Sequence, residues 1–180
     1  LAPRSIDTKR FSLGMSGEFR NGFDWDIHFT SSEDEGYISQ PDTSTQRFTS
    51  AIKGQGGEAG DQTWNLFDSS ANTSSLVDWI STKQETWTNN QLDVLDFVFS
   101  GDIKTNEFGN ISMAAGLQLR KEEFSVTRDK DSRIEFDANG NISKSADLLF
   151  LGGGIEASSK RDAMAAFAEF SIPLGDKLLL

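Results

Sequence analysis

Apolar and polar residues alternate strictly over two neighbouring stretches near the start of the chain. Every odd position from Phe11 to Phe19, and again from Phe23 to Phe29, is apolar or glycine, whereas the even positions between them are polar or small. A period of two predicts a β-strand with one apolar face. Asn21-Gly22 lies between the two stretches and favours a two-residue type I′ turn. Residues 10–30 are therefore predicted to form a β-hairpin.

The same alternation recurs three more times, so the whole chain follows a rhythm of strand, turn, strand and long polar stretch. Strands are predicted near 10–20, 23–30, 92–103, 111–124, 161–172 and 178–180, with a turn at 174–177 before the last. Long loops are predicted at 31–90 and 121–160, and Leu76, Val77 and Ile80 predict a short helix near 74–86 within the first.

The connections alternate between tight turns and long loops, which is typical of outer-membrane barrels. Each alternating run covers about 9–11 residues, the length that a tilted strand needs to cross hydrocarbon. The predicted fold is all-β: an antiparallel up-and-down meander, a segment of a large transmembrane β-barrel with long extracellular loops. Since a closed barrel needs about eight strands or more, we expect residues 1–180 to be one part of its wall. A soluble β-sandwich with the apolar face as its core is the alternative.

The two faces of the predicted strands differ in charge. The apolar face carries no charged residue across five strands, and a mid-bilayer Arg or Lys there would cost about 2–4 kcal/mol. The opposite face is predicted to line the lumen, and its polar residues are Glu18, Arg20, Asp24, Asp26, Asp96, Asp102, Gln118 and Glu169.

Composition excludes several classes of function. The net charge is −11, from 17 Lys and Arg against 28 Asp and Glu, which argues against a nucleic-acid partner. The chain has no Cys and a single histidine, His28, so thiolate zinc sites and Ser-His-Asp chemistry are not expected. We expect no enzyme activity, cofactor or metal. The acidic stretches at 33–35, 129–131 and 137–141 are interpreted as solvated loop tips, with calcium binding as the alternative.

Aromatic residues in the first long loop are the candidates for substrate binding. Trp64, Trp79 and Trp87 are predicted to lie there and to offer rings for stacking, with Arg47 and Arg120 as charged candidates. The alternative, which we favour, is that these rings pack the loop and its short helix into a small satellite core.

Four segments resemble the barrel wall of TonB-dependent outer-membrane receptors. FVFSGDI (97–103) followed by ISMAAGLQLRKEEF (111–124) is similar to a strand pair of that family, although Leu119 stands where Tyr is commoner. MAAFAEFSIPL (164–174) and GFDWDIHF (22–29) are similar to other wall strands. The chain lacks the Cys pair that many relatives carry in the long loop.

The resemblance implies a receptor in the bacterial outer membrane that imports a scarce, bulky nutrient: a ferric siderophore, a corrinoid or an oligosaccharide. It implies outer-membrane lipid around the wall and a TonB energy-coupling protein that acts through an N-terminal plug region outside these residues. A passive porin wall and a secreted β-sandwich that binds carbohydrate are the alternative functions.

Overall fold

The computed structural model describes residues 2–175, 178 and 179. The strands are, in chain order, β1 (Arg4–Glu18), β2 (Asp24–Thr43), β3 (Ser81–Asn106), β4 (Gly109–Arg128), β5 (Glu135–Phe136), β6 (Ile142–Lys144), β7 (Ala157–Ser171), β8 (Pro173–Gly175) and β9 (Leu178–Leu179). The helices are α1 (Thr45–Ile52) and α2 (Ser74–Ile80), with a 3₁₀ turn at Ser69–Ala71 between them. None of the described helices is both long and apolar enough to cross a membrane.

Five strands form one antiparallel sheet in the order β1-β2-β3-β4-β7, so the prediction of an antiparallel all-β meander is confirmed. Two short antiparallel pairs, β5–β6 and β8–β9, complete the strand content that the structure describes. The predicted turn at 174–177 and strand at 178–180 extend over Asp176, Lys177 and Leu180, which lie outside the described residues. Pro173 pairs with Leu179 in the β8–β9 ladder.

The turn between β1 and β2 differs from the predicted type I′ geometry. Of its residues only Gly22 has a positive φ, at 80°, whereas type I′ needs two such residues. The Gly22 amide donates to the carbonyl of Phe19 (2.9 Å), and the Phe19 amide donates to that of Phe23 (2.7 Å). This pattern is typical of a three-residue loop in which glycine closes a type I turn. Asn21 thus keeps a negative φ, and β1 ends at Glu18 rather than at residue 20.

The strands run well beyond their predicted ends, which corrects both long loops. Residues 31–43 belong to β2 and 81–90 to β3, so the predicted loop at 31–90 shortens to residues 44–80. The predicted loop at 121–160 likewise begins after Arg128 and ends before Ala157. Backbone ladders need no apolar side chains, and the extensions of β2 and β3 are mostly polar, with Tyr37, Ile38 and Trp87 as their large apolar or aromatic residues. The predicted helix at 74–86 ends at Ile80, where β3 begins.

The chain divides into two units. The first contains the described residues of 1–7, 35–89 and 125–158, and the second those of 8–34, 90–124 and 159–180.

Both helices of the first unit begin at a capping side chain. The Ser44 hydroxyl accepts from the Arg47 amide (3.1 Å) in front of α1, and the Thr73 hydroxyl accepts from the Leu76 amide (3.2 Å) in front of α2. Leu76 is only 2% exposed and packs with Ala51 and Ile80. The helices therefore meet over a small apolar core.

Candidate functional site

The second unit carries an apolar face on its sheet. The rings of Phe11 and Phe29 lie 6.4 Å apart between their centroids, and those of Phe19 and Trp25 lie 6.2 Å apart, so odd positions of β1 and β2 share one side. These side chains are not covered: Met15 is 59% exposed. We define the apolar face as the odd positions 11–19, 23–29, 95–103 and 111–119 with the even positions 164–170.

A row of charged side chains lies beyond one end of the apolar face, and each of the five strands of the large sheet contributes to it. We define this charged row as Lys9, Glu33, Asp93, Lys121, Glu123, Lys160 and Asp162. The Glu123 carboxylate lies 2.8 Å from the Lys160 ammonium and 3.0 Å from that of Lys121, and these two ammonium groups lower the pKa of Glu123. The Asp93 carboxylate accepts from the Ser31 hydroxyl (2.6 Å). These contacts join neighbouring strands, so the apolar surface gives way to charged surface along one continuous line across the sheet.

The opposite face of the second unit is polar and holds the residues predicted to line a lumen. The Gln118 amide donates to Asp96 (2.7 Å), and Asp102 accepts from Asn110 and Ser112 (each 2.6 Å). The remaining members of the predicted set are Glu18 at the end of β1, Arg20 in the turn, Asp24 at the start of β2, Asp26 beside His28 (3.2 Å) and Glu169 in β7.

A cleft of about 520 Å³ opens on this polar face. Four strands contribute to its lining: β2 through Ser32 and Asp34, β3 through Asn90, and β4 and β7 through the residues of an ionic bridge. In that bridge the Glu122 carboxylate lies 2.5 Å from the Arg120 guanidinium and 2.6 Å from that of Arg161. The cleft is thus lined by donors and acceptors placed side by side.

The loop residues of the first unit form an aromatic cluster on the small core. Phe48 and Trp64 meet edge to face at 5.7 Å, and Trp79 packs on the same core of Ala51, Leu76 and Ile80. The Arg47 guanidinium donates to the Trp79 carbonyl (2.6 Å). Trp64 and Trp79 are half-buried and pack on this core, as the satellite-core interpretation predicts; their contact with a substrate stays a prediction.

Trp87 was wrongly predicted to lie in a loop. It is part of β3, where its ring lies 5.5 Å from that of Tyr37 on the neighbouring strand β2. The Tyr37 hydroxyl donates to Glu85 (2.5 Å), whose carboxylate also lies 2.7 Å from the Lys83 ammonium. The hydrogen bonds from Lys83 and Tyr37 lower the pKa of Glu85. This part of β3 is therefore tied to β2 by ring contact and hydrogen bonding.

The acidic loop tips of the first unit satisfy their own backbone. Burial acts to raise the pKa of Asp129, but hydrogen bonds from the Ser132 hydroxyl and from backbone amides, among them that of Glu85, outweigh it and lower the pKa. Asp137 accepts from the amides of Asn139 and Asn141 (2.8 and 2.9 Å) at the tip between β5 and β6. Within residues 2–175 and 178–179, no three acidic or histidine side chains are grouped as a metal site.

The structure gathers some of the predicted substrate-binding residues and separates others. Arg47, Trp64 and Trp79 meet in the first unit, and Trp87 lies on its sheet. Arg120 alone lines the cleft of the second unit. The cleft residues missed from the sequence are Ser32, Asp34, Asn90, Gln91, Leu92, Glu122, Glu123, Phe124, Ser159 and Arg161. Most of these residues are polar and extend the polar face of their strand beyond its last apolar position. A continuation of the predicted strands by a few residues would have included them.

Comparisons of the chain with protein-family models, with curated proteins and with solved structures find no match.

Proposed function

We propose that the chain forms part of the wall of a transmembrane β-barrel in the bacterial outer membrane, and that the complete protein is a TonB-dependent receptor importing a scarce, bulky nutrient. The observation that carries the proposal is the exposed apolar face of the second unit, which ends in the charged row. In a soluble sandwich the same face would be buried against a second sheet, yet Phe11 is 58% and Phe170 is 53% exposed.

The height of the apolar face supports a lipid-facing role. The span from Phe11 to Phe19 covers about 27 Å along the strand at about 3.4 Å per residue. A tilt of about 40° reduces this to about 21 Å across the bilayer, close to the roughly 25 Å apolar band of outer-membrane barrels. Aromatic pairs stand at both ends of the face, Phe11 with Phe29 and Phe19 with Trp25, as the aromatic girdles of such barrels do.

The edges of the sheet support a longer wall. The outer strands β1 and β7 are each 15 residues long and are exposed along nearly their whole length. Long exposed edges invite pairing with other chains, and closure into a barrel removes them. We therefore expect flanking strands of the complete protein to pair with β1 and β7.

The active-transport part of the proposal rests on the resemblance of the strands 97–103, 111–124 and 164–174 to the wall of TonB-dependent receptors. A passive porin would share the lipid-facing surface, because that surface reports the surrounding medium and not the cargo. Energy coupling therefore separates the two functions.

Two measurements on the complete protein test the proposal in turn. The first is extraction: we expect the protein in the outer-membrane fraction, soluble only in detergent. A monomer that stays soluble without detergent would favour the sandwich instead. The second is uptake of the nutrient by intact cells with and without a protonophore. Energy-coupled import should stop when the protonophore is added, whereas uptake that continues unchanged would identify a passive pore.

A further inference from the structure

The cleft on the polar face of the second unit has the size and lining of a ligand site. Its volume of about 520 Å³ falls in the usual range of roughly 300–1,000 Å³ for small-molecule sites. Its polar side chains come from β2, β3, β4 and β7, so the sheet itself holds them in place. The proposed barrel would direct this face into the lumen, along the path of an imported nutrient.

The charges of the cleft balance. On the polar face the carboxylates of Asp34 and Glu122 stand opposite the guanidinium groups of Arg120 and Arg161, and Glu123, which also lines the cleft, is paired with the ammonium groups of Lys121 and Lys160. Glu122 lies between the two arginines at 2.5 and 2.6 Å, and Asp34 accepts from the Thr8 hydroxyl (2.6 Å). An anionic ligand would have to displace Glu122 from both guanidinium groups and would still meet two carboxylates. The cleft therefore disfavours anions such as ferric chelates of high negative charge.

Hydroxyl groups match the cleft better than charged groups do. A hydroxyl both donates and accepts hydrogen bonds, and the cleft offers guanidinium donors beside carboxylate acceptors. Asn90, Ser32 and Ser159 add an amide and two hydroxyls to the lining. Phe124 lies in the same lining and is 43% exposed, which leaves part of its ring free to pack against the apolar C–H surface of a sugar.

We infer that this cleft binds an uncharged, hydroxyl-rich ligand, an oligosaccharide. The inference rests on the proposed function and names one substrate class among the three that the resemblance implies: ferric siderophores, corrinoids and oligosaccharides.

The test uses the complete protein, purified in a nonionic detergent, on an array of neutral and acidic oligosaccharides. A ferric tris-catecholate chelate and cyanocobalamin are measured beside it in solution. We expect binding to at least one family of neutral oligosaccharides, with an affinity that changes less than twofold between about 0.05 and 0.5 M salt, because screening acts on charges. Tighter binding of the chelate or of the corrinoid, or binding to no neutral oligosaccharide, would overturn the inference.

Three variants assign the binding to the cleft. Phe124→Ala should weaken oligosaccharide binding about tenfold through loss of ring contact. Glu122→Gln leaves two arginines opposite one carboxylate, so it should weaken oligosaccharide binding and introduce salt-sensitive binding of the chelate. The matched control is Glu33→Gln, because Glu33 stands between Ser32 and Asp34 in the sequence but does not line the cleft, and its carboxylate lies 3.8 Å from the Lys9 ammonium of the charged row. Unchanged binding in both cleft variants would contradict the assignment.

Two further measurements separate a loss of binding from a loss of folding, and a failure of this inference from a failure of the proposed function. Heat-dependent mobility of each variant on a gel reports folding, so a loss of binding counts only in a variant that keeps the wild-type mobility. Failure of the proposed function would appear in the extraction and protonophore experiments, which do not depend on the cleft. A protein that inserts into the membrane and imports a ferric chelate would refute the inference and leave the import function intact.

Discussion

An arginine introduced at the centre of the apolar face distinguishes lipid from water as the medium around that face. Met15 is the middle position of the alternating set from Phe11 to Phe19 and is 59% exposed. Ser16 follows it on the polar face of the same strand and serves as the matched control. Met15→Arg and Ser16→Arg thus place the same side chain at nearly the same height on opposite faces of β1.

The expected loss of folding free energy in Met15→Arg follows from the depth of position 15 in the bilayer. At the bilayer midplane a lipid-facing arginine costs about 2–4 kcal/mol, which lowers the folding equilibrium constant roughly 30-fold to 900-fold at about 1.36 kcal/mol per factor of ten. Ser16→Arg should remain within about 0.5 kcal/mol of the wild type, as exposed substitutions usually do. Phe11→Arg, near the charged row, should cost only about 0–1 kcal/mol.

The assay is guanidinium unfolding of the complete protein in phosphatidylcholine vesicles, followed by tryptophan fluorescence. We expect the order of cost Met15→Arg, then Phe11→Arg, then Ser16→Arg. Equal midpoints for Met15→Arg and Ser16→Arg would refute the lipid-facing assignment, because in water both positions are exposed surface sites. A larger loss for Ser16→Arg would reverse the assignment of the two faces.

Three further changes probe the packing inside each unit. Leu76→Ala should cost about 2–5 kcal/mol of unfolding free energy through a cavity in the small core. The fluorescence of the loop tryptophans follows the unfolding, and a midpoint equal to that of the wild type would contradict the prediction. Gly116→Ala would bring a Cβ atom against the Phe167 ring and the Phe97 carbonyl oxygen, at a cost of about 1–3 kcal/mol that Phe167→Ala should partly relieve; no relief in the double variant would argue against the ring contact. Because the pKa of Asp129 is lowered in the folded protein, its contribution to stability is present above the ordinary value of about 3.9 and is lost as the pH falls below it. Asp129→Asn should therefore flatten the acid dependence of amide-exchange protection in this loop, and an unchanged dependence would count against the hydrogen bonds.

The centres of the five long strands were predictable from the sequence, but their ends were not. Between Phe11 and Phe19 the apolar side chains repeat every second residue, and a strand is the structure with that period. Residues 31–43 and 81–90 continue β2 and β3 with mostly polar side chains, among which Tyr37, Ile38 and Trp87 do not form an alternating apolar set. Their ladders form through backbone hydrogen bonds, so no side-chain period marks them.

Helix α1 was missed although it carries a local signal. Ser44 is a preferred capping residue, and Phe48, Ala51 and Ile52 follow at helical spacing. Polar residues surround this segment on both sides, so its pattern resembles that of the loop around it. The pairing of Tyr37 with Trp87 was missed for a related reason, because cross-strand partners become apparent only when the register is known.

The cleft was only partly predictable. Arg120 is one of the charged candidates that the sequence offers, and it lines the cleft. Its partner Arg161 is 41 positions away in sequence, and the bridging Glu122 joins them only through the pairing of β4 with β7. A distance that depends on sheet register cannot be read from local sequence.

The central claim is that the apolar face contacts acyl chains, and spin labelling tests it most directly. Because residues 1–180 contain no Cys, single cysteines at positions 9–19 can each carry a nitroxide without background from this segment. In the complete protein in bilayers, relaxation by dissolved oxygen should be greatest at the odd positions from 11 to 19, and relaxation by a water-soluble nickel complex at the even ones. The oxygen effect should be maximal near Met15 and fall at Lys9. Equal access of the nickel complex to odd and even positions would contradict the claim.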